Sequence, residues 1–183
     1  MKKSMKYAMI ALAVLAMALP GAAWALTAND ADSVTVTVPT ILSISDDVGN
    51  FTLTFTGSAA GSTTNGQTVG YIVDANNMPN TALTGALSAK ISALLSGITI
   101  RANPARTYVN DGSASNAVLT ESTAAVINLG TTAVNIMDKP ASAGSSGKIL
   151  HGRAFVNWGA VADTDVTTAN GGTVTLTVTL KDA

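Results

Sequence analysis

The run "GGTVTLTVTLKDA" alternates threonine with an aliphatic residue from Thr173 to Leu180. In an extended chain successive side chains point to opposite faces, so Val174, Leu176, Val178 and Leu180 share an apolar face and the threonines look away. A helix, with its period of about 3.6, cannot keep that segregation. The segment is expected to be a half-buried β-strand. Its edges then need partners, because an unpaired, uncharged strand is a template for pairing with another chain.

The same period recurs along the chain. "SVTVTVPTILSIS" sets Val34, Val36 and Val38 on one face until Pro39 interrupts the ladder. "FTLTFTG" alternates Phe51, Leu53 and Phe55 with threonines, and "DDVGN" between the two runs reads as a hairpin turn. "QTVGYIVDANN" gives a strand with Val69, Tyr71 and Val73 on one side. In "TALTGALSAKISALLSGITIRANP", Leu83, Leu87, Ile91 and Leu94 fit helical spacing, whereas Leu87, Ala89, Ile91, Ala93 and Leu95 fit alternation. The β-rich neighbourhood favours a hairpin. "AAVINLG", "TAVNIMD" and "ILHGRAFVNWGA" add further strands, the last with Gly152 as a bulge site. Nine or ten short strands without a sustained helix predict an all-β fold, an antiparallel β-sandwich of immunoglobulin-like or pilin-like type.

The N-terminus carries a different signal. Lys2, Lys3 and Lys6 precede the apolar "YAMIALAVLAMAL", followed by Ala23-Trp24-Ala25. This is the pattern of a secretory signal peptide, residues 1–25, cleaved after Ala25. The apolar run is shorter than the roughly 20 residues that span a membrane, and no second such run follows. The remaining residues 26–183 are expected to form one sandwich domain, exported to the periplasm, the cell surface or the extracellular space.

Charge narrows the partners. The chain has 10 Lys and Arg against 11 Asp and Glu; losing three lysines with the signal leaves 7 against 11, or −4. A weakly acidic chain without an arginine cluster is not expected to bind nucleic acid. At 11% charged residues, against about 25% in average proteins, its surface suits a structural protein of the cell exterior. There is no cysteine, hence no disulfide framework.

Catalytic chemistry has little to work with. Glu121 is the only glutamate and His151 the only histidine, and no G-x-S-x-G elbow accompanies them. Asp46 and Asp47 flank a turn, where aspartate serves backbone hydrogen bonding. No enzyme activity, catalytic residue or cofactor is expected. Zinc lacks Cys and His ligands. Calcium has weak loop candidates in Asp30, Asp32, Asp163 and Asp165, none in a complete binding loop. Sugar binding would need exposed aromatics, for which Trp158, Tyr71 and Tyr108 are the candidates.

The signal peptide, the alternating "SVTVTVP" after it, the "YIVDANN" strand and turn, and "GGTVTLTVTL" together resemble secreted β-sandwich subunits of bacterial surface fibres, the spore-coat-U and archaic chaperone-usher pilin group. The resemblance implies an exported structural subunit of a surface fibre, coat or matrix that assembles by β-strand pairing with itself or another surface subunit, with a periplasmic chaperone as a further partner. It implies that Val34, Val36 and Val38 act as donor-strand anchors, Pro39 as a hinge, and Val174, Leu176, Val178 and Leu180 as the acceptor or edge strand. The rival expectation is a secreted ligand-binding or adhesive module that takes carbohydrate.

Overall fold

The strand pattern of the sequence is realised as two antiparallel sheets packed face to face. The computed structural model describes residues 36–111, 117–122, 125–144 and 146–183. The signal-peptide reading, Val34, Asp30 and Asp32 lie outside these. Two compact units are present, Met1–Thr37 and Val38–Ala183. Of the first only Val36 and Thr37 are described, both exposed.

The second unit holds ten strands: β1 Leu42–Asp46, β2 Gln67–Ala75, β3 Leu83–Ile91, β4 Ile98–Ala102, β5 Thr107–Asn110, β6 Thr120–Glu121, β7 Ile127–Asn128, β8 Val134–Lys139, β9 Leu150–Ala162 and β10 Leu176–Leu180. One sheet runs β1-β2-β9-β4-β7, with β5 also on β9; the other runs β10-β3-β8-β6. The 13-residue β9 organises the first sheet, pairing β2 along one edge and β5 then β4 along the other. No helix among the described residues is long and apolar enough to cross a membrane.

Alternation decides which side chains enter the core. Val69, Tyr71 and Val73 of β2 and Ala154, Val156 and Trp158 of β9 are buried on one inner face; Leu87, Ala89 and Ile91 of β3 are buried on the other. Burying a large aliphatic side chain contributes roughly 1.5–3 kcal/mol, so a period-2 pattern of this length fixes register strongly. Arg106, 2% exposed, acts as a polar rivet. Its Nε donates to the Ile136 carbonyl at 3.0 Å, Nη1 to the Asn103 and Ala125 carbonyls at 2.9 and 3.4 Å, and Nη2 to the Ser122 carbonyl at 3.4 Å.

Three local expectations are corrected. "DDVGN" is not a hairpin turn: Asp46 Oδ1 accepts from the N–H groups of Val48 and Gly49 at 3.3 and 2.5 Å, forming a kink in one edge. β1 before it and residues 51–56 after it both lie against the run 63–75, through the β1–β2 ladder, the Asp47 N–H to Gly70 carbonyl bond, and bonds joining Thr54 to Asn65 and Thr56 to Thr63. β3 and β4 are strands but not a hairpin, since the chain crosses between sheets at 92–97. Gly152 sits in regular register rather than in a bulge, and is required because a Cβ there would meet the Val109 carbonyl and the Tyr108 ring. The bulge lies in β3 instead, around Gly85, which has φ +63°.

Candidate functional site: an open groove between two sheet edges

Each sheet ends on the same side of the sandwich in a strand with one neighbour. β1 pairs β2, and β10 pairs β3; among the described residues neither has a second strand partner. β1 and β10 approach one another across the two sheets, and a groove of about 1430 Å³ lined by residues of both edges opens into the sandwich.

One wall is built by Ile44 of β1 and by Phe51, Leu53 and Phe55 beyond the kink. These alternate strictly with exposed Ser and Thr, so the half-buried apolar side chains point inward. The other wall is Val174, Leu176 and Val178, again alternating with exposed threonines. Leu180 is buried and closes the far end of that strand. The apolar face read from the sequence of β10 is therefore present; its half-buried side chains pack against the core and line the groove.

The floor is Tyr71 and Trp158. Trp158 is fully buried and its indole N–H donates to the Tyr71 hydroxyl at 3.0 Å. Burial pushes the Tyr71 phenol up to about 12; the Trp158 bond opposes that shift and the nearby Asp46 and Asp47 carboxylates add to it. Neither ring offers the free face on which a sugar would stack. Apart from Asp46 at its rim and Tyr71 on its floor, the lining is apolar side chains, small polar side chains and backbone.

No protein-family model matches the chain, and no curated protein matches it either. The groove is therefore read from its geometry.

The remaining sequence candidates fall elsewhere. Val36 and Val38, the described donor positions, are 81% and 73% exposed. Asp163 Oδ2 accepts from the Thr99 hydroxyl at 2.8 Å, and Asp165 Oδ1 from the Ala60 N–H at 2.9 Å, so each secures a loop. No three His, Asp or Glu side chains among the described residues group to hold a metal ion. His151 lies on the outer face of β9, its Nε2 2.6 Å from Asp111 Oδ2 and its Nδ1 3.6 Å from Asp74 Oδ1, so its ring sits between two carboxylates. Asp47 likewise ties the kink to the sheet, accepting from the Gly70 N–H at 2.8 Å and pairing Arg153 Nη1 at 3.3 Å.

Sequence reasoning missed the Phe51–Thr56 wall, reading that run as the second strand of a hairpin with residues 33–45. Its strict alternation was visible, but the kink that makes it collinear with β1 depends on Asp46 capping Gly49, which has φ +67°.

Proposed function

We propose that the protein is an exported structural subunit of a bacterial surface fibre, coat or matrix, acting without catalysis, and that it assembles by accepting an extended strand of another copy into the groove. The observation that carries this reading is the pair of strand edges, β1 with 51–56 and β10, that have no second strand partner among the described residues and that line one apolar groove. An inserted strand would hydrogen-bond along an edge on either side and place alternate side chains on the Tyr71–Trp158 floor.

The occupant is residues Ser33–Val38 of a second copy. Val34, Val36 and Val38 have the required period, and Val36 and Val38 are far more exposed than any residue of the core. Burial of a valine contributes roughly 1.5 kcal/mol or more, while ordering a residue costs roughly 1–2 kcal/mol. Three valines alone therefore do not order six residues. Backbone pairing along both edges, and burial of the groove's own walls, must supply the difference, which is why an open edge on each side matters.

Size-exclusion chromatography of the mature chain tests this. The wild-type protein is expected to assemble with rising concentration, and Val178→Asp, which places a carboxylate on the groove wall, is expected to remain a folded monomer. Equal assembly of both proteins would remove the groove from the account.

A further inference from the structure

A chain that carries both donor and acceptor faces a competition between its own arm and a neighbour's. A tethered arm reaches its own groove at an effective concentration in the millimolar range, well above that of free copies in dilute solution. Linear assembly needs a feature that directs the arm away from its own groove. The residues before β1 contain one.

Asn76 follows the last residue of β2, opposite Ile41 in the register that pairs Leu42 with Ala75. Its backbone N–H donates to the Ile41 carbonyl at 3.2 Å. Its side-chain Oδ1 accepts from the Ile41 N–H at 2.8 Å, and its Nδ2 donates to the Pro39 carbonyl at 2.7 Å. One residue thus holds three backbone groups and carries the ladder past the end of β2. Residues 39–41 are kept in line with β1.

Folding the arm back onto the free edge of β1 requires a reversal between Val38 and Leu42, within Pro39–Ile41. Three-residue hairpin loops are common, so the length permits it. The reversal would break the Asn76 bonds to Pro39 and Ile41. Pro39 reinforces the clamp, since its ring fixes its own φ and biases Val38 toward extended backbone.

We propose that Asn76 is a positioning residue that, with Pro39, bars the donor segment from its own groove and so makes strand donation intermolecular. This rests on the strand-donation reading of the groove. The clamp holds Pro39 and Ile41, within which such a reversal would have to turn, and touches no groove-lining side chain in the three bonds described.

The test uses the full mature chain, with a labelled synthetic peptide of Ser33–Val38 as the probe. Wild-type protein should assemble and bind the peptide at subunit ends. Asn76→Ala, and more completely Asn76→Ala with Pro39→Gly, should become monomeric and bind the peptide at least tenfold more weakly, because the groove holds its own arm. Adding Val36→Asp to Asn76→Ala should restore peptide binding by expelling that arm, a recovery that simple structural damage would not give. Folded Asn76→Ala that assembles and binds peptide like wild type overturns the clamp. So does a monomeric variant that Val36→Asp does not recover. If the wild-type chain neither assembles nor binds peptide, the strand-donation reading itself fails.

Discussion

Trp158 and Tyr71 meet edge to face, ring centroids 6.4 Å apart, with the indole N–H donating to the phenol oxygen at 3.0 Å. They come from neighbouring strands, β9 and β2, and form the floor of the groove. The pair keeps two polar atoms satisfied where both rings are already buried from water.

Tyr71→Phe leaves the buried Trp158 N–H without its acceptor. An orphaned buried donor costs about 1–3 kcal/mol, which should appear as a lower urea midpoint with an unchanged slope.

The Tyr71 phenol also reports its own burial. In the folded protein it titrates near 12, against the usual 10.0. The stabilisation linked to this raised value is fully present below about pH 10. It falls as pH rises toward 12, because over that window the unfolded chain has released a proton that the folded one retains. Tyrosinate absorbance should show one slow-rising tyrosine that Tyr71→Phe removes, and the alkaline loss of stability should be correspondingly shallower in that variant.

Gly85 holds φ +63° in the β3 bulge, where a Cβ would collide with the Asn135 side chain, and its N–H donates to Asp138 Oδ1 at 2.5 Å. Gly85→Ala should destabilise by about 1–3 kcal/mol in denaturant melts. A neutral result would show that the bulge can relax.

Removing the rivet should cost more. Arg106→Met leaves carbonyls of Asn103, Ser122, Ala125 and Ile136 without the guanidinium donor, and a loss of at least about 3 kcal/mol is expected on thermal or urea unfolding.

What the sequence made legible was whatever depends on period alone. The alternation of Val69, Tyr71 and Val73, and that of Leu87, Ala89 and Ile91, predicted the buried faces of β2 and β3, and the all-β sandwich followed. Which sheet a strand joins is not a local property: a Gly-containing turn after Leu95 serves equally for a hairpin or for the crossing that takes β4 to the other sheet. The β10 wall was legible for the first reason. The 51–56 wall was not, because only the three-dimensional kink at Asp46–Asn50 sets it in line with β1. Asn76 was visible as a turn residue, while its hold on Pro39 and Ile41 needs the β1–β2 register.

The central claim, that the arm of one copy enters the groove of another, is tested most directly by directed cross-linking. The chain has no cysteine, so any disulfide is an engineered one. Chains carrying Val36→Cys are mixed with chains carrying Val178→Cys and oxidised, alongside a control pair in which the arm carries Thr35→Cys on the alternate face. The account predicts a covalent heterodimer from the Val36 pair, with little from the Thr35 control and suppression by excess Ser33–Val38 peptide. Equal yields from both pairs, or no heterodimer from the Val36 pair while the mixed proteins remain assembled, would contradict it.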